Sequence, residues 1–265
     1  MISWHIKTLP PGPLSVPRTL SENSVPMFRR RVFEPILAGA SLKDRGLACI
    51  GAIIGIALTG LVCSIIASSG SALLLAAPIG ASAVLLFAVP ASPLAQPWSI
   101  VGGNTISSFV GVFVAHLGLP IPGAAGLAVG LAILTMSLFR CLHPPGGAAA
   151  LTAVIGGPAV TSLGLLFPLA PVALNSLALV ALGWVYHRGS GHSYPHQAVP
   201  IAGHVFPANR PYLHSEDLDR ALDDLGETFD VSRSDLELLF RQMEYHAECR
   251  SQAIAIGLRR PSEPT

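Results

Sequence analysis

Eight consecutive positions, Arg140 to Gly147, gather the ingredients of an anion site in an otherwise apolar stretch: Arg140, then His143-Pro144-Pro145-Gly146-Gly147. A guanidinium offers fixed positive charge, and an imidazole offers a donor whose charge can change near neutral pH. Two prolines and two glycines break the backbone and restart it as a helix. The first N–H groups and positive dipole end of such a helix favour a negative guest. Each residue also has a plainer reading. Arg140 can snorkel to lipid headgroups, His143 can bond a backbone carbonyl, and Pro144-Pro145 can be a packing kink.

The setting decides how much chemistry is open to them. Residues 46–187 contain one formal charge, Arg140, and no carboxylate. A soluble domain cannot leave so long a surface uncharged. A bilayer demands it, since a charge at its centre costs about 2.5–3.5 kcal/mol even on the lenient insertion scale. Without a carboxylate, Ser82 or Ser107 with His143 has no group to orient the imidazole, so Ser/His catalysis is not expected. Cys49, Cys63, Cys141 and Cys249 match no zinc or disulfide spacing and are read as free thiols. No cofactor, metal or nucleic-acid partner is expected: the chain is 12% charged with net charge +1, and no basic stripe interleaved with aromatics occurs.

The elements that must carry the candidate site are apolar segments separated by Pro, Gly and Gln. They fall at about 47–67, 71–89 (broken at Pro78-Ile79-Gly80), 98–117, 122–139, 145–155 and 161–186. Roughly 20 residues cross the hydrocarbon, so the fifth is too short to span by its helical part. Six crossings and four crossings with two re-entrant segments both stay open. Pro78-Ile79-Gly80-Ala81-Ser82-Ala83-Val84-Leu85 overlays Pro144-Pro145-Gly146-Gly147-Ala148-Ala149-Ala150-Leu151. Each run sits in the middle of three segments, so an inverted repeat would bring a second helix start, at Gly80 and Ser82, toward the first. Asn104 and Ser107, one turn apart, either line a pore or tie helices together. Gly51-x-x-x-Gly55 and Gly126-x-x-x-Gly130 let helices approach closely, within the monomer or between protomers of a homo-oligomer.

The flanks are of different material. Residues 1–45 form a Pro/Ser-rich tail and a basic interfacial helix that meets membrane lipids. Residues 46–188 are the transmembrane domain, and 189–211 a Gly/Pro/His linker whose His192, His196 and His204 are solvated. Residues 212–265 are a small helical hairpin, with Ser215 as cap, Gly226 as stop and a second helix over about 232–255. Arg29-Arg30-Arg31 precedes Phe33-Glu34-Pro35, not an apolar run, so no secretory signal is expected. Basic residues before the first segment and after the sixth place both termini in the cytoplasm of a multi-pass inner-membrane protein. The fold class is thus all-α: a polytopic bundle of four to six membrane segments, two broken at Pro-Gly, with a small cytoplasmic helical tail.

Pro78–Ala83, Ala91-Ser92-Pro93-Leu94-Ala95-Gln96-Pro97, Gly102-Gly103-Asn104 and Leu142–Ala148, in that order, resemble the HPP family of integral membrane proteins, named for the motif seen here at His143-Pro144-Pro145. The resemblance covers about residues 28–190. It implies a membrane domain of four to six helices and, from plant and cyanobacterial relatives, nitrite transport. Asn104 stands where many relatives have histidine. The tail resembles the connector that precedes regulatory CBS domains in bacterial relatives, so a short form without them is expected. The resulting expectation is a transporter or channel for a small monovalent anion, nitrite first. Its substrate-binding residues would be Arg140, His143, Pro144, Pro145, Gly146, Gly147, Gly80, Ser82, Asn104 and Ser107. A membrane-anchored interaction or sensory module without transport is the alternative.

Overall fold

The computed structural model describes residues 41–66, 76–200, 215–226 and 228–255, and these contain helices and no strand. The expected basic helix before residue 41, the end of the linker and His204 lie outside the described residues. So do the start of the second segment and the Ser215 side chain.

Helix α1, Leu42–Ile66, opens on a reciprocal cap. The Ser41 hydroxyl accepts from the Asp44 N–H at 3.2 Å, while an Asp44 oxygen accepts from the Ser41 N–H at 2.9 Å. Its 25 residues reach about 37 Å, more than the hydrocarbon needs. Helix α2, Pro78–Ala88, has 11 residues and α5, Pro144–Ile155, has 12, so each is about half a span. Both start on proline, which fits the first turn because its missing N–H would be unpaired there anyway. Between them, α3 is Pro97–Ala115 and α4 is Ile121–Leu138. A short α6, Pro158–Thr161, leads to a one-turn 3₁₀ helix at Gly164–Leu166. A π-type segment at Pro168–Ala173 follows, bent at Ala170 (φ −135°, ψ 97°), and then α7, Leu174–Ser190. Pro171 inside this stretch removes a helical donor and accounts for the bend. Among the described residues, four stretches are long and apolar enough to cross a membrane: Leu42–Ile65, Pro97–Ala115, Ile121–Leu138 and Gly164–Ser190.

Bonds between helix ends fix the directions. Arg45 Nη1 donates to the Ala88 carbonyl (3.3 Å), Tyr186 Oη to Leu47 (2.7 Å) and Trp98 Nε1 to Phe139 (3.1 Å). The starts of α1 and α3 therefore share one end of the bundle with the ends of α2, α4 and α7. Helix α5 begins near that end and runs away from it beside α3. Thus α2 and α5 run in opposite directions.

Close backbone approach holds this arrangement. A Cβ on Gly111 would lie 2.3 Å from the Ala150 oxygen, and one on Gly103 would lie 2.7 Å from the Cys141 oxygen. Helix α5 therefore packs backbone against backbone along the Gly103–Ser107–Gly111 face of α3. Gly51 and Gly55 accept the Phe87 ring, whose atoms would stand 2.6 Å from a Cβ at either position. That Gly-x-x-x-Gly serves packing inside the monomer. Gly126 and Gly130 meet nothing within 4 Å.

In the tail, α8 is Ser215–Leu225, closed by Gly226 at φ 64°, and α9 is Arg233–Ala255. Arg233 pairs with Asp219 across the hairpin and with Glu237 one turn on. The hairpin docks on the loop that joins α2 to α3: the Ser92 hydroxyl donates to Asp230 at 2.8 Å, and His196 meets Asp235 at 2.8 Å. The expectation that His196 is a solvated linker residue is corrected by that pairing. The His196 N–H also donates to Gln96 Oε1 at 2.9 Å.

Candidate functional site

His143, the residue before α5, extends its backbone (φ −147°) and turns its ring into the bundle, where it is wholly buried. Nδ1 lies 2.8 Å from the Leu94 carbonyl, and Nε2 lies 2.8 Å from the Ser82 hydroxyl in α2. A carbonyl only accepts, so Nδ1 carries the proton and the neutral ring takes the Ser82 hydrogen at Nε2. Ser82 Oγ also lies 3.1 Å from the Pro78 carbonyl, giving one hydroxyl hydrogen two acceptors. The Asn104 amide of α3 donates to Ser82 Oγ (3.0 Å) and to Ser176 Oγ of α7 (3.2 Å). Four elements and one loop thus converge on a buried polar cluster.

The cluster is incomplete. Asn104 Oδ1 and Ser107 Oγ are buried and have no partner among the described residues. Each orphaned group costs about 1–3 kcal/mol in a protein interior. Ser107 could return its hydrogen to its own helix, as Ser108 does to Asn104 (2.8 Å) and Ser137 to Ile133 (2.7 Å). Instead its oxygen faces the first turn of α5, where a Cβ on Gly146 would meet it at 2.9 Å. A hydroxyl beside the positive end of a helix suits a guest bearing acceptor oxygens.

Of the ten residues expected to bind substrate, His143, Ser82, Asn104 and Ser107 come together, and Pro145 and Gly146 are buried beside them. Gly147, half-buried, faces Val129 of α4. The others do not join. Gly80 and Pro144 are exposed, and nothing approaches the place of a Gly80 side chain. Arg140 stands apart as well. It is exposed at the end of α4, with φ 55° and no side-chain bond to the described residues. There it occupies the left-handed position that ends a helix with the Cys141 N–H on the Met136 oxygen (2.9 Å) and its own N–H on Ser137 (3.2 Å). A charged side chain at a helix end reaches water more cheaply than the bundle interior. Sequence reasoning missed Ser176 and the Leu94 carbonyl. Ser176 stands beside Asn175 in the last apolar segment, a polar pair that was open to inspection.

These features define a class: a multi-pass helical membrane protein whose interior holds an uncharged polar cluster, with the one arginine of its apolar region outside it. The chain belongs to the HPP family, with residues 38–195 matching the family's transmembrane region. The family is a non-catalytic one, and among the described residues no group of three or more His, Cys, Asp or Glu could hold a metal ion. The chain is similar to two transmembrane proteins of Dictyostelium discoideum. One is 34% identical over 145 residues, which is 53% of this chain and 46% of the relative. The other is 36% identical over 119 residues, 43% of this chain and 42% of the relative. The chain thus spans less than half the length of the curated relatives it matches. No solved structure matches it.

Proposed function

We propose that the membrane domain passes a small monovalent anion, with nitrite, the substrate suggested by the HPP resemblance, as the first candidate. The observation that carries this reading is the pair of orphaned groups, Asn104 Oδ1 and Ser107 Oγ, in a buried cluster where two oppositely directed half-length helices meet. A dry interior tolerates unpaired polar groups poorly, so a visiting solute that pairs with them offsets their cost. The absence of carboxylates from residues 46–187 removes the repulsion an anion would otherwise meet. Helices α2 and α5 act as the two halves of an inverted repeat, as their shared proline start and opposed directions support. Arg140 attracts anions at the mouth; His143, Ser82, Asn104 and Ser107 line the passage, with Pro145, Gly146 and Gly147 shaping it. Gly80 and Pro144 have no lining role in this account. The basic residues Lys43, Arg45 and Arg188 support a cytoplasmic position for the end where α1 starts and α7 ends, in an inner membrane. The open face at Gly126 and Gly130 supports packing between protomers.

Influx of nitrite, nitrate, formate and chloride into liposomes containing the purified chain tests the reading. Nitrite influx well above that of protein-free liposomes supports it, and no influx of any of the four rejects it. A second reading is favoured by Leu225, Leu239 and Met243, apolar side chains that the tail leaves exposed. On that reading the hairpin recruits a partner and nothing is transported; deletion of residues 205–265 then abolishes recruitment, whereas on the transport reading nitrite influx survives the deletion.

A further inference from the structure

A second group of buried polar side chains lies between α1 and α7. Thr59, Cys63 and Asn175 are 0%, 1% and 0% exposed. The Cys63 thiol donates to Asn175 Oδ1 at 2.7 Å, which turns the amide nitrogen away from it. Neither that nitrogen nor Thr59 Oγ1 has a partner among the described residues. Thr59 stands inside a continuous helix and could have returned its hydrogen to its own backbone. Thr135 does so to Leu131 (2.9 Å) and Thr152 to Ala148 (2.7 Å). Thr59, like Ser107, leaves its hydroxyl unspent. Asn175 is also the neighbour of Ser176, which accepts from Asn104 in the first cluster. One turn of α7 therefore touches both groups.

We infer that Thr59, Cys63 and Asn175 form a second binding station, between α1 and α7, for a small solute bearing acceptor oxygens. This rests on the transport reading and extends it: the solute of the His143 cluster passes to this station across the Asn175-Ser176 turn. The Asn175 amide offers N–H groups and Thr59 an O–H, so the station presents donors to the guest. No charged side chain of α1 beyond Arg45, or of α7 before Arg188, belongs to it. It therefore selects by hydrogen bonding and size, and admits a small oxygen-rich monoanion or its neutral acid. The bend at Ala170, five residues before Asn175, adds irregular backbone at membrane depth, which is tolerated where it is buried or lines a wet space.

The test uses the full chain with Cys49, Cys141 and Cys249 replaced by serine or alanine, so that Cys63 is the one thiol, in phosphatidylcholine liposomes. Nitrite should slow several-fold the conversion of Cys63 to a mixed disulfide by a small membrane-permeant methanethiosulfonate, with methanesulfinate leaving, whereas chloride should not. In the native background, Thr59→Val and Asn175→Leu should each lower nitrite influx about tenfold or more, as expected for lost bonds to a charged guest. Thr59→Val keeps the shape and removes only an unpaired hydroxyl, so it should still fold. Unprotected Cys63 together with influx at the native rate in both variants overturns the station. The functional reading fails separately: no nitrite influx by the native chain rejects transport, while protection of Cys63 by nitrite would still establish the station.

Discussion

His143 Nε2 and Ser82 Oγ, 61 residues apart in sequence, lie 2.8 Å from each other where the start of α5 passes the body of α2. The contact joins two helices that run in opposite directions, and it gives the one serine two further roles. Ser82 receives the Asn104 amide at 3.0 Å and faces the Pro78 carbonyl at 3.1 Å. With the proton on Nδ1, Nε2 accepts, so the Ser82 hydroxyl is the donor of this contact and the Pro78 carbonyl its competing acceptor.

Ser82→Ala should therefore cost more than one hydrogen bond. It strips Nε2 of its partner and removes one of two acceptors from the Asn104 amide. A loss of about 2–3 kcal/mol is expected from the buried groups left behind. Thermal unfolding in detergent should show a clear drop, and an unchanged midpoint would mean that the bond carries no weight.

Gly111→Ala and Gly103→Ala should each disrupt the α3–α5 packing, because the added methyl meets fixed backbone oxygens at 2.3 Å and 2.7 Å. Overpacking of this kind costs about 1–3 kcal/mol. Gly130→Ala, which meets nothing within 4 Å, is the control and should be neutral or slightly stabilising in the monomer. Yields of monodisperse protein from membranes compare the three directly.

Arg140→Gly separates charge from fold. At φ 55° a glycine is more comfortable than an arginine by about 1 kcal/mol, so the variant should unfold later on heating. If Arg140 draws anions to the mouth, nitrite influx should fall a few-fold at low salt and return to the native rate at high salt. Equal influx at every salt concentration would leave the arginine a headgroup anchor.

The tail should release in acid. Partial burial pushes the Asp235 carboxyl up, but hydrogen bonds from His196 and Ser232 outweigh it and hold the group below its usual value of 3.8. Its charged form is therefore the docked form. The contribution is complete above the ordinary carboxylate value and is lost as pH falls through the lowered one. The distance between spin labels at Ala91 and Arg241 should hold from neutral pH to about pH 4 and lengthen below it. Asp235→Asn should lengthen it at neutral pH; an unchanged distance would show that other contacts hold the hairpin.

The elements were largely legible because apolar length and proline position are local properties. Helix α5 was expected at about 145–155 and is Pro144–Ile155; the break expected at Pro78-Ile79-Gly80 is where α2 begins, at Pro78 rather than at Gly80. The bend at Ala170 was missed although Pro168 and Pro171 mark it. The site was half legible. His143, Ser82, Asn104 and Ser107 were selected as polar residues in an apolar block, and they meet. Arg140, selected for its charge, and Gly80, selected as a second helix start, do not join them, because a loop position and the outward face of a helix are set by register between segments. The partnership of Asn104 with Ser176, 72 residues away, depends on how α3 and α7 cross, which no local pattern encodes. Cys63 was read as a free thiol; its bond to Asn175 arises from the same kind of long-range register.

The most direct measurement compares nitrite influx and thermal stability of Ser107→Ala with the native chain in the same liposomes. Removing a buried hydroxyl that has no partner should leave the fold as stable or raise its melting point. If that hydroxyl meets the passing anion, influx should fall about fivefold or more. Native influx in a chain of equal or greater stability would contradict the claim that the solute travels through this cluster.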